Sequence, residues 1–334
     1  MAKFKVYVTR KIPEAGLDII RKVADVKVWD GELPPPREII LKEIRDVDGI
    51  ISLLTDKMDA EAMDAGEKLK VISNYAVGFD NIDIPEATKR GIAVTNTPGV
   101  LTDTTADFAF ALLMASARRI VEADKHTRQG KWKTWVPTGF LGQDIHHATL
   151  GLVGLGRIGY EMARRATGFS MKLLYYDVYR NEKFEKELGI EYVELPELLQ
   201  RSDFVSLHVP LTDKTYHLIG RQELAMMKKT AILINTARGP IVDLDALYEA
   251  LRDGKIAGAG LDVTEPEPIP ANHPILGLDN LTIAPHIASA SVATRTKMAT
   301  MAAEGCAAIL KGEVPPNLVN TEVLKVKELK GKAS

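Results

Sequence analysis

Three polar side chains stand just beyond apolar runs: Arg238 after AILINTA, Glu267 in the loop after GAGLDV, and His286 after LTIAP. Their types suit proton transfer at a carbonyl. An imidazole can deliver a proton near neutral pH, a carboxylate can orient that ring and favour its charged form, and a guanidinium offers a planar fork to a carboxylate. Each also has a structural use: an ordinary Arg-Gly turn with an ion pair, a solvated Glu between prolines, a hydrogen-bonded His after Pro285. What unites them is position, because ligands of open parallel sheets sit outside the carboxyl ends of the strands, where loops from successive strands converge.

A second constellation is GLVGLGRIG, which places Gly154, Gly156 and Gly159 in a G-x-G-x-x-G directly after one apolar run and at the start of a helical one. Gly154 permits a tight turn, Gly156 lets the backbone approach a pyrophosphate, and Gly159 lets the helix pack close to the strand, with N–H donors at the helix N-terminus. Asp177 ends the next run, KLLYYD, near the ~20-residue offset that puts a carboxylate on the ribose hydroxyls of a dinucleotide. A 2′-phosphate about 4 Å from that carboxylate would meet a repulsion of up to ~4 kcal/mol at an effective dielectric near 20, so NAD(H) is favoured. Arg180, three residues on, could swing toward such a phosphate or remain a solvated surface residue, and NADP(H) therefore stays open.

These residues need strand ends to stand on. The first hundred residues alternate β-branched runs with amphipathic segments: Lys5 to Thr9, Glu14 to Val23, Val26 to Trp29, Gly49 to Leu53, Leu69 to Ser73 and Ile92 to Thr95. A long apolar helix, Thr104 to Gly130, then reads as a domain connector. From Thr149 six further strands alternate with helices, through Lys172 to Tyr176, Phe204 to Val209, Ala231 to Asn235, Gly258 to Val263 and Leu281 to Ala284. Near-continuous Val, Leu and Ile runs mean strands buried on both faces. The expected fold class is α/β, with two doubly wound parallel-sheet domains and a cleft between them. Residues 1–98 with 286–334 form one domain, the last helix Ala293 to Leu310 packing back on it, and 99–285 form the other. The Lys-rich end after Val326 is expected to fray.

At 334 residues and 46% hydrophobic composition the chain is long enough for two domains, and 43 basic against 45 acidic residues leave no electrostatic footprint for nucleic acid or an anionic membrane. The longest apolar stretch, Ala109 to Ala117, is too short to span a bilayer, and the first residues read as a strand rather than a signal. The expected location is cytoplasmic. A single cysteine, Cys306, forms no internal disulfide and no cysteine cage, and His146-His147 lack partners at metal-ligand spacing, so no metal is expected.

Over essentially its whole length the chain resembles the D-isomer-specific 2-hydroxyacid dehydrogenases, through GLVGLGRIG, HVPLTDKTYHLI, ILINTARGPIVD, AGAGLDVTEPEP and APHIASAS. Within that family, LDVTEPEPIPANHPIL, NYAVGFDNID and the Trp132/Trp135 pair look most like glyoxylate/hydroxypyruvate reductases. The resemblance implies a Rossmann cofactor domain, a flavodoxin-like substrate domain, and Arg238, Glu267 and His286 as the catalytic three. It places cofactor contacts at Gly154, Leu155, Gly156, Arg157, Ile158, Gly159, Asp177, Val209, Pro210, Thr215, Thr236, Ala237, Asp262 and Ala288. Substrate contacts fall to Leu53, Val77, Gly78, Arg238 and Ser289, with the loop at Val77-Gly78 offering backbone N–H groups to the substrate carboxylate. Trp135 resembles an aromatic that crosses a dimer interface to the neighbouring active site, which adds it to the substrate contacts and makes a homodimer the expected assembly. The implied activity is NAD(P)H-dependent reduction of small 2-oxo acids such as glyoxylate and hydroxypyruvate. The alternatives are a D-lactate or sugar-acid dehydrogenase, or an NAD-sensing, corepressor-like binding protein.

Overall fold

The computed structural model describes residues 3–326, which fall into two compact units: one through Leu101 and again from Ala290, the other Thr102–Ser289. In the first unit, strands β1 (Phe4–Val8), β2 (Ala24–Val28), β3 (Gly49–Ser52), β4 (Val71–Asn74) and β5 (Ala93–Thr95) alternate with helices α1 (Glu14–Arg21), α2 (Arg37–Glu43), α3 (Ala60–Ala65) and α4 (Ile84–Lys89). The side chains of Asp59 and Asp83 accept the backbone N–H groups of Ala62 and Glu86, which fixes where α3 and α4 begin. All strand pairs are parallel, in the order β2-β1-β3-β4-β5 of a flavodoxin-like sheet.

The second unit opens with α5 (Thr102–Ala117) and α6 (Ile120–Arg128). It continues through β6 (Thr149–Val153), α7 (Arg157–Thr167), β7 (Lys172–Tyr176), α8 (Glu182–Leu188), β8 (Glu191–Tyr192), α9 (Leu195–Arg201) and β9 (Phe204–Leu207). It closes with α10 (Arg221–Met226), β10 (Ile232–Asn235), α11 (Leu244–Arg252), β11 (Gly258–Leu261) and β12 (Leu281–Ile283). Its seven parallel strands run β12-β11-β10-β9-β6-β7-β8, so the order reverses between β6 and β9, the switch point of a Rossmann sheet. Alternate residues feed opposite cores. Leu150, Leu152, Ile232 and Ile234 meet α5 and α7, whereas Val153, Val205, Leu207 and Leu233 meet α9, α10 and α11.

Three sequence expectations are corrected. The helix expected from Thr104 to Gly130 is two helices. The carbonyl of Ala117 is taken by the Gln143 N–H at 2.9 Å instead of by a further turn, and Arg119 adopts a left-handed φ of 52°. Nor is α5 a connector. It is a core helix of the second unit, packed so closely on β11 that a Cβ on Gly260 would approach Leu112 Cγ to 2.7 Å. The second sheet also has a seventh strand, β8, which pairs Glu191 and Tyr192 with Leu174 and Tyr175. Two residues carry no readable periodicity.

The first unit is completed by α12 (Val292–Leu310), which packs on α1 and on β3, β4 and β5. Gly16 makes the approach of α1 possible, since a Cβ there would lie 2.6 Å from the Ala299 carbonyl oxygen. Cys306, on the same helix, is buried, and burial pushes its thiol up to about 12, so it acts as an inert apolar filler. No helix among the described residues is long and apolar enough to cross a membrane. Substituting Gly16 by Val should force the helices apart at a cost of roughly 1–3 kcal/mol. Urea unfolding followed by circular dichroism would read this as a lower midpoint; an unchanged midpoint would mean that the α1–α12 contact tolerates separation.

Candidate active site

The glycine loop is built from its backbone. At the end of β6, Gly154 has φ 96°, and a Cβ would come within 2.9 Å of the backbone between His208 and Val209. A Cβ on Gly159 would overlap the Gly154 carbonyl oxygen, so helix α7 can sit directly on the strand end. Gly156 differs: the space where its side chain would be is open, and no side chain caps α7. The backbone of Gly156, Arg157 and Ile158 is thus presented at a positive helix end, a site suited to a pyrophosphate.

Asp177 follows β7 and accepts the Leu155 N–H at 2.8 Å through Oδ2, while Oδ1 has no partner among the described residues. One oxygen therefore steadies the glycine loop and the other remains available. Arg180 is engaged elsewhere, because its Nε and Nη2 both donate to Glu185 at 2.8 Å. That guanidinium, with the Tyr175 hydroxyl, holds the Glu185 carboxyl down at about 2. Val209 and Pro210 follow β9, and the Thr215 hydroxyl secures their loop by donating to the Pro210 carbonyl at 2.6 Å. Thr236, one residue past β10, is buried, and its hydroxyl has no partner among the described residues. An orphaned hydroxyl and an open glycine cradle at the strand ends fit a dinucleotide.

The catalytic candidates of this unit rest on short polar residues at the strand ends. Asn235, the last residue of β10, is fully buried; its amide donates to the Arg238 carbonyl at 2.8 Å and accepts the Ala237 N–H at 3.0 Å. The turn presenting Arg238 is shaped from beneath. Next to it, a Cβ on Gly239 would overlap the Thr264 carbonyl, so the loops after β10 and β11 touch. Asp262, one residue past β11, is 1% exposed. Its two carboxylate oxygens accept the N–H groups of Ile287 and Ala288 at 2.7 and 2.8 Å, and its carbonyl accepts that of His286 at 2.8 Å. Burial raises the Asp262 pKa, opposed by those two backbone bonds. Asp262 thus shapes the His286 loop, and each of its side-chain oxygens, accepting one backbone N–H, keeps a lone pair for a further donor.

His286 itself has φ 55°, a left-handed conformation uncommon for a residue with a Cβ. There its Nδ1 meets Glu267 Oε1 at 2.5 Å. A carboxylate only accepts, so Nδ1 carries the hydrogen and Nε2 is left to exchange a proton with a ligand. A second pair in the same loop escaped the sequence reading. His217 Nε2 lies 2.7 Å from Glu265 Oε2, with the Tyr216 ring stacked on the imidazole at 4.0 Å. Only the fold brings these two residues together; no spacing announces them. Ser289 is half-buried beside Ala288.

In the first unit, Leu53, Val77 and Gly78 are half-buried in the loops after β3 and β4, and the Leu53 N–H is held by the buried Asp56 carboxylate at 2.7 Å. Trp132 and Trp135 are exposed, at 67% and 79%.

Residues 110–288 match the family model described as D-isomer specific 2-hydroxyacid dehydrogenase, NAD binding domain. A glyoxylate reductase of Korarchaeum cryptofilum is 60% identical over 326 residues, covering 97% of this chain and 98% of that protein. The chain belongs to the D-isomer-specific 2-hydroxyacid dehydrogenase family. Among solved structures of this family's fold, a protein from Thermus thermophilus is 48% identical with a TM-score of 0.90, covering 94% of this chain and 99% of that one. An NADPH-dependent glyoxylate/hydroxypyruvate reductase from Sinorhizobium meliloti, in complex with NADP and malonate, is 32% identical with a TM-score of 0.85 over the full length of both chains. This dehydrogenase is accordingly an NAD(P)-dependent oxidoreductase.

Beneath the glycine loop of the dehydrogenase, burial pushes His208 down to about 4, and its Nε2 lies 2.9 Å from the Ser206 hydroxyl. The unfolded chain takes up a proton near pH 6.5 that the folded chain refuses until about pH 4, so this contribution to stability is intact above pH 6.5 and declines as pH falls toward 4. Between pH 7 and pH 5 the parent should lose about 2 kcal/mol that a His208→Gln variant keeps. Guanidinium unfolding at the two pH values measures the difference, and equal losses in both proteins would remove His208 as the cause.

Proposed function

We propose that the protein reduces glyoxylate to glycolate, and hydroxypyruvate to its D-2-hydroxy acid, with NADH as the preferred reductant. The observation that carries this reading is the Glu267–His286 pair, held with Nδ1 engaged and Nε2 open in the same unit as the open glycine cradle. A bound reduced nicotinamide supplies the hydride that reaches the carbonyl carbon. His286 gives the proton that turns the developing alkoxide into a hydroxyl, and Glu267 keeps the ring in register and stabilises its charged form. Arg238 polarises the carbonyl and receives the substrate carboxylate through its planar fork. The family resemblance assigns further substrate contacts to Leu53 and to the backbone N–H groups of Val77 and Gly78 in the first unit, and to Ser289 in the second.

The dinucleotide is assigned to Gly154 through Gly159, Asp177, Val209, Pro210, Thr215, Thr236, Ala237, Asp262 and Ala288. Two features support NADH over NADPH: the free oxygen of Asp177 and the commitment of Arg180 to Glu185. The unit that runs through Leu101 and again from Ala290 is assigned the substrate-binding role, and Thr102–Ser289 the cofactor-binding role. The exposed pair Trp132 and Trp135, with Val136 beside them, supports a homodimer in which Trp135 lies at the interface. A buried, unpaired cysteine accords with a reducing, cytoplasmic setting.

Oxidation of NADH and NADPH should be followed with glyoxylate, hydroxypyruvate and pyruvate. NADH-linked turnover of the first two is expected. A strong NADPH preference would transfer the specificity from Asp177 to another group, and tight dinucleotide binding without turnover would make the protein a ligand sensor.

His286→Ala should lower kcat by roughly 100-fold or more, while Glu267→Gln should lower it less, because the amide oxygen can still accept from Nδ1 but no longer supplies an anion beside the ring. Undiminished turnover in the His286 variant would dismiss it as the proton donor.

A further inference from the structure

The loop after β4 is held by its carbonyls. The Ala76 carbonyl accepts the Thr97 N–H at 2.9 Å, the Val77 carbonyl accepts the Asn96 side-chain amide at 2.8 Å, and the Gly78 carbonyl accepts the Asn74 side-chain amide at 2.7 Å. In a planar trans peptide the N–H points opposite to the C=O. Tying the Ala76 and Val77 carbonyls to the neighbouring Asn96 and Thr97 therefore turns the N–H groups of Val77 and Gly78 away from that turn together. Among the described residues neither N–H has a protein acceptor. Two successive donors aimed alike form a concavity that attracts an anion.

The two carboxamides are themselves fixed. Asn74 is fully buried; its oxygen accepts the Ser52 hydroxyl at 3.1 Å and its amide also donates to Asn81 at 3.2 Å. Asn96 is 8% exposed, and its backbone exchanges hydrogen bonds with Asn317, the Asn317 amide donating to the Asn96 carbonyl at 2.6 Å. The segment after α12 thus braces the clamp. No rearrangement is needed when an anion arrives, because the donors are already unpaired and oriented.

We propose that Asn96 is a positioning residue that, with Asn74 anchoring the loop at the following carbonyl of Gly78, holds Val77 and Gly78 as a preformed cradle for the substrate carboxylate. This rests on the reading that the Val77-Gly78 loop takes that carboxylate, and adds the side chains that make it do so. An Asn96→Ala variant frees the Val77–Gly78 peptide to rotate. Asn96→Asp keeps the size of the side chain but sets an acceptor against the Val77 carbonyl, which should turn the peptide over.

The test compares the parent with Asn96→Ala, Asn96→Asp and Asn74→Ser. The glyoxylate KM and the inhibition constant for oxalate should each rise roughly tenfold in Asn96→Ala, and further in Asn96→Asp, with kcat changing less. The kcat/KM for methylglyoxal, which has a reacting carbonyl but no carboxylate, should stay within about twofold of the parent, as should the Kd for NADH. If Asn96→Ala fails to fold, Asn96→Asp and Asn74→Ser carry the same comparison. Glyoxylate KM and oxalate inhibition near parent values in folded variants would overturn the proposal. So would equal losses with glyoxylate and methylglyoxal. A parent protein that fails to reduce glyoxylate would instead count against the functional reading, and calorimetric binding of oxalate to parent and variants would still decide the role of the clamps.

Discussion

The geometry of the catalytic unit depends on one buried carboxylate. Asp262 stands at the end of β11, and its two side-chain oxygens and its carbonyl together receive three successive N–H groups, those of His286, Ile287 and Ala288. Without those acceptors, three donors at the end of a buried sheet would go unsatisfied, at a cost of about 1–3 kcal/mol each. With them, His286 is held at a positive φ that it would seldom adopt unaided, and its ring comes within 2.5 Å of Glu267. The parallel topology makes this possible, since it brings the ends of β10, β11 and β12 side by side and their loops into contact.

Charge is distributed according to what each group must do. His286 is partly exposed and paired with a carboxylate, whereas burial under the glycine loop pushes the pKa of His208 down to about 4. A cation at that second position would adjoin the positive end of α7, and burial prevents it. The same economy separates Asp177 from Arg180. The carboxylate keeps one oxygen free at the strand end, while the guanidinium is neutralised by Glu185 and lies over the Tyr192 ring.

Much of this was legible in the sequence, and what was not shares a physical cause. The two parallel sheets follow from apolar runs buried on both faces, and the family from motifs spread over the whole chain. Glu267 and His286, read from strand-end position, do meet in the structure. Features without local signal were missed: the two-residue β8, the break after Ala117 that depends on Gln143, and the His217–Glu265 pair. That Asp262 also receives the N–H groups of Ile287 and Ala288, and so sets the backbone of the His286 loop, has no signal in the sequence either. The expectation of fraying after Val326 lies outside the described residues.

Both units use one device, a short polar side chain at or just past a strand end, and its chemistry sets what the loop presents. Where the side chain is a donor, as with Asn74 at the end of β4 and Asn96 just after β5, it captures carbonyls, and the N–H group of the captured peptide faces the other way. Where it is an acceptor, as with Asp262, it captures N–H groups, and the loop keeps no competing donors beside the imidazole. Asn235 does both, accepting from Ala237 and donating to the Arg238 carbonyl, and so fixes the backbone of that turn. The choice between Asn and Asp, nearly equal in size, thus decides the polarity of each loop, a choice that hydrophobic periodicity does not register and that acquires meaning only once the strands are aligned.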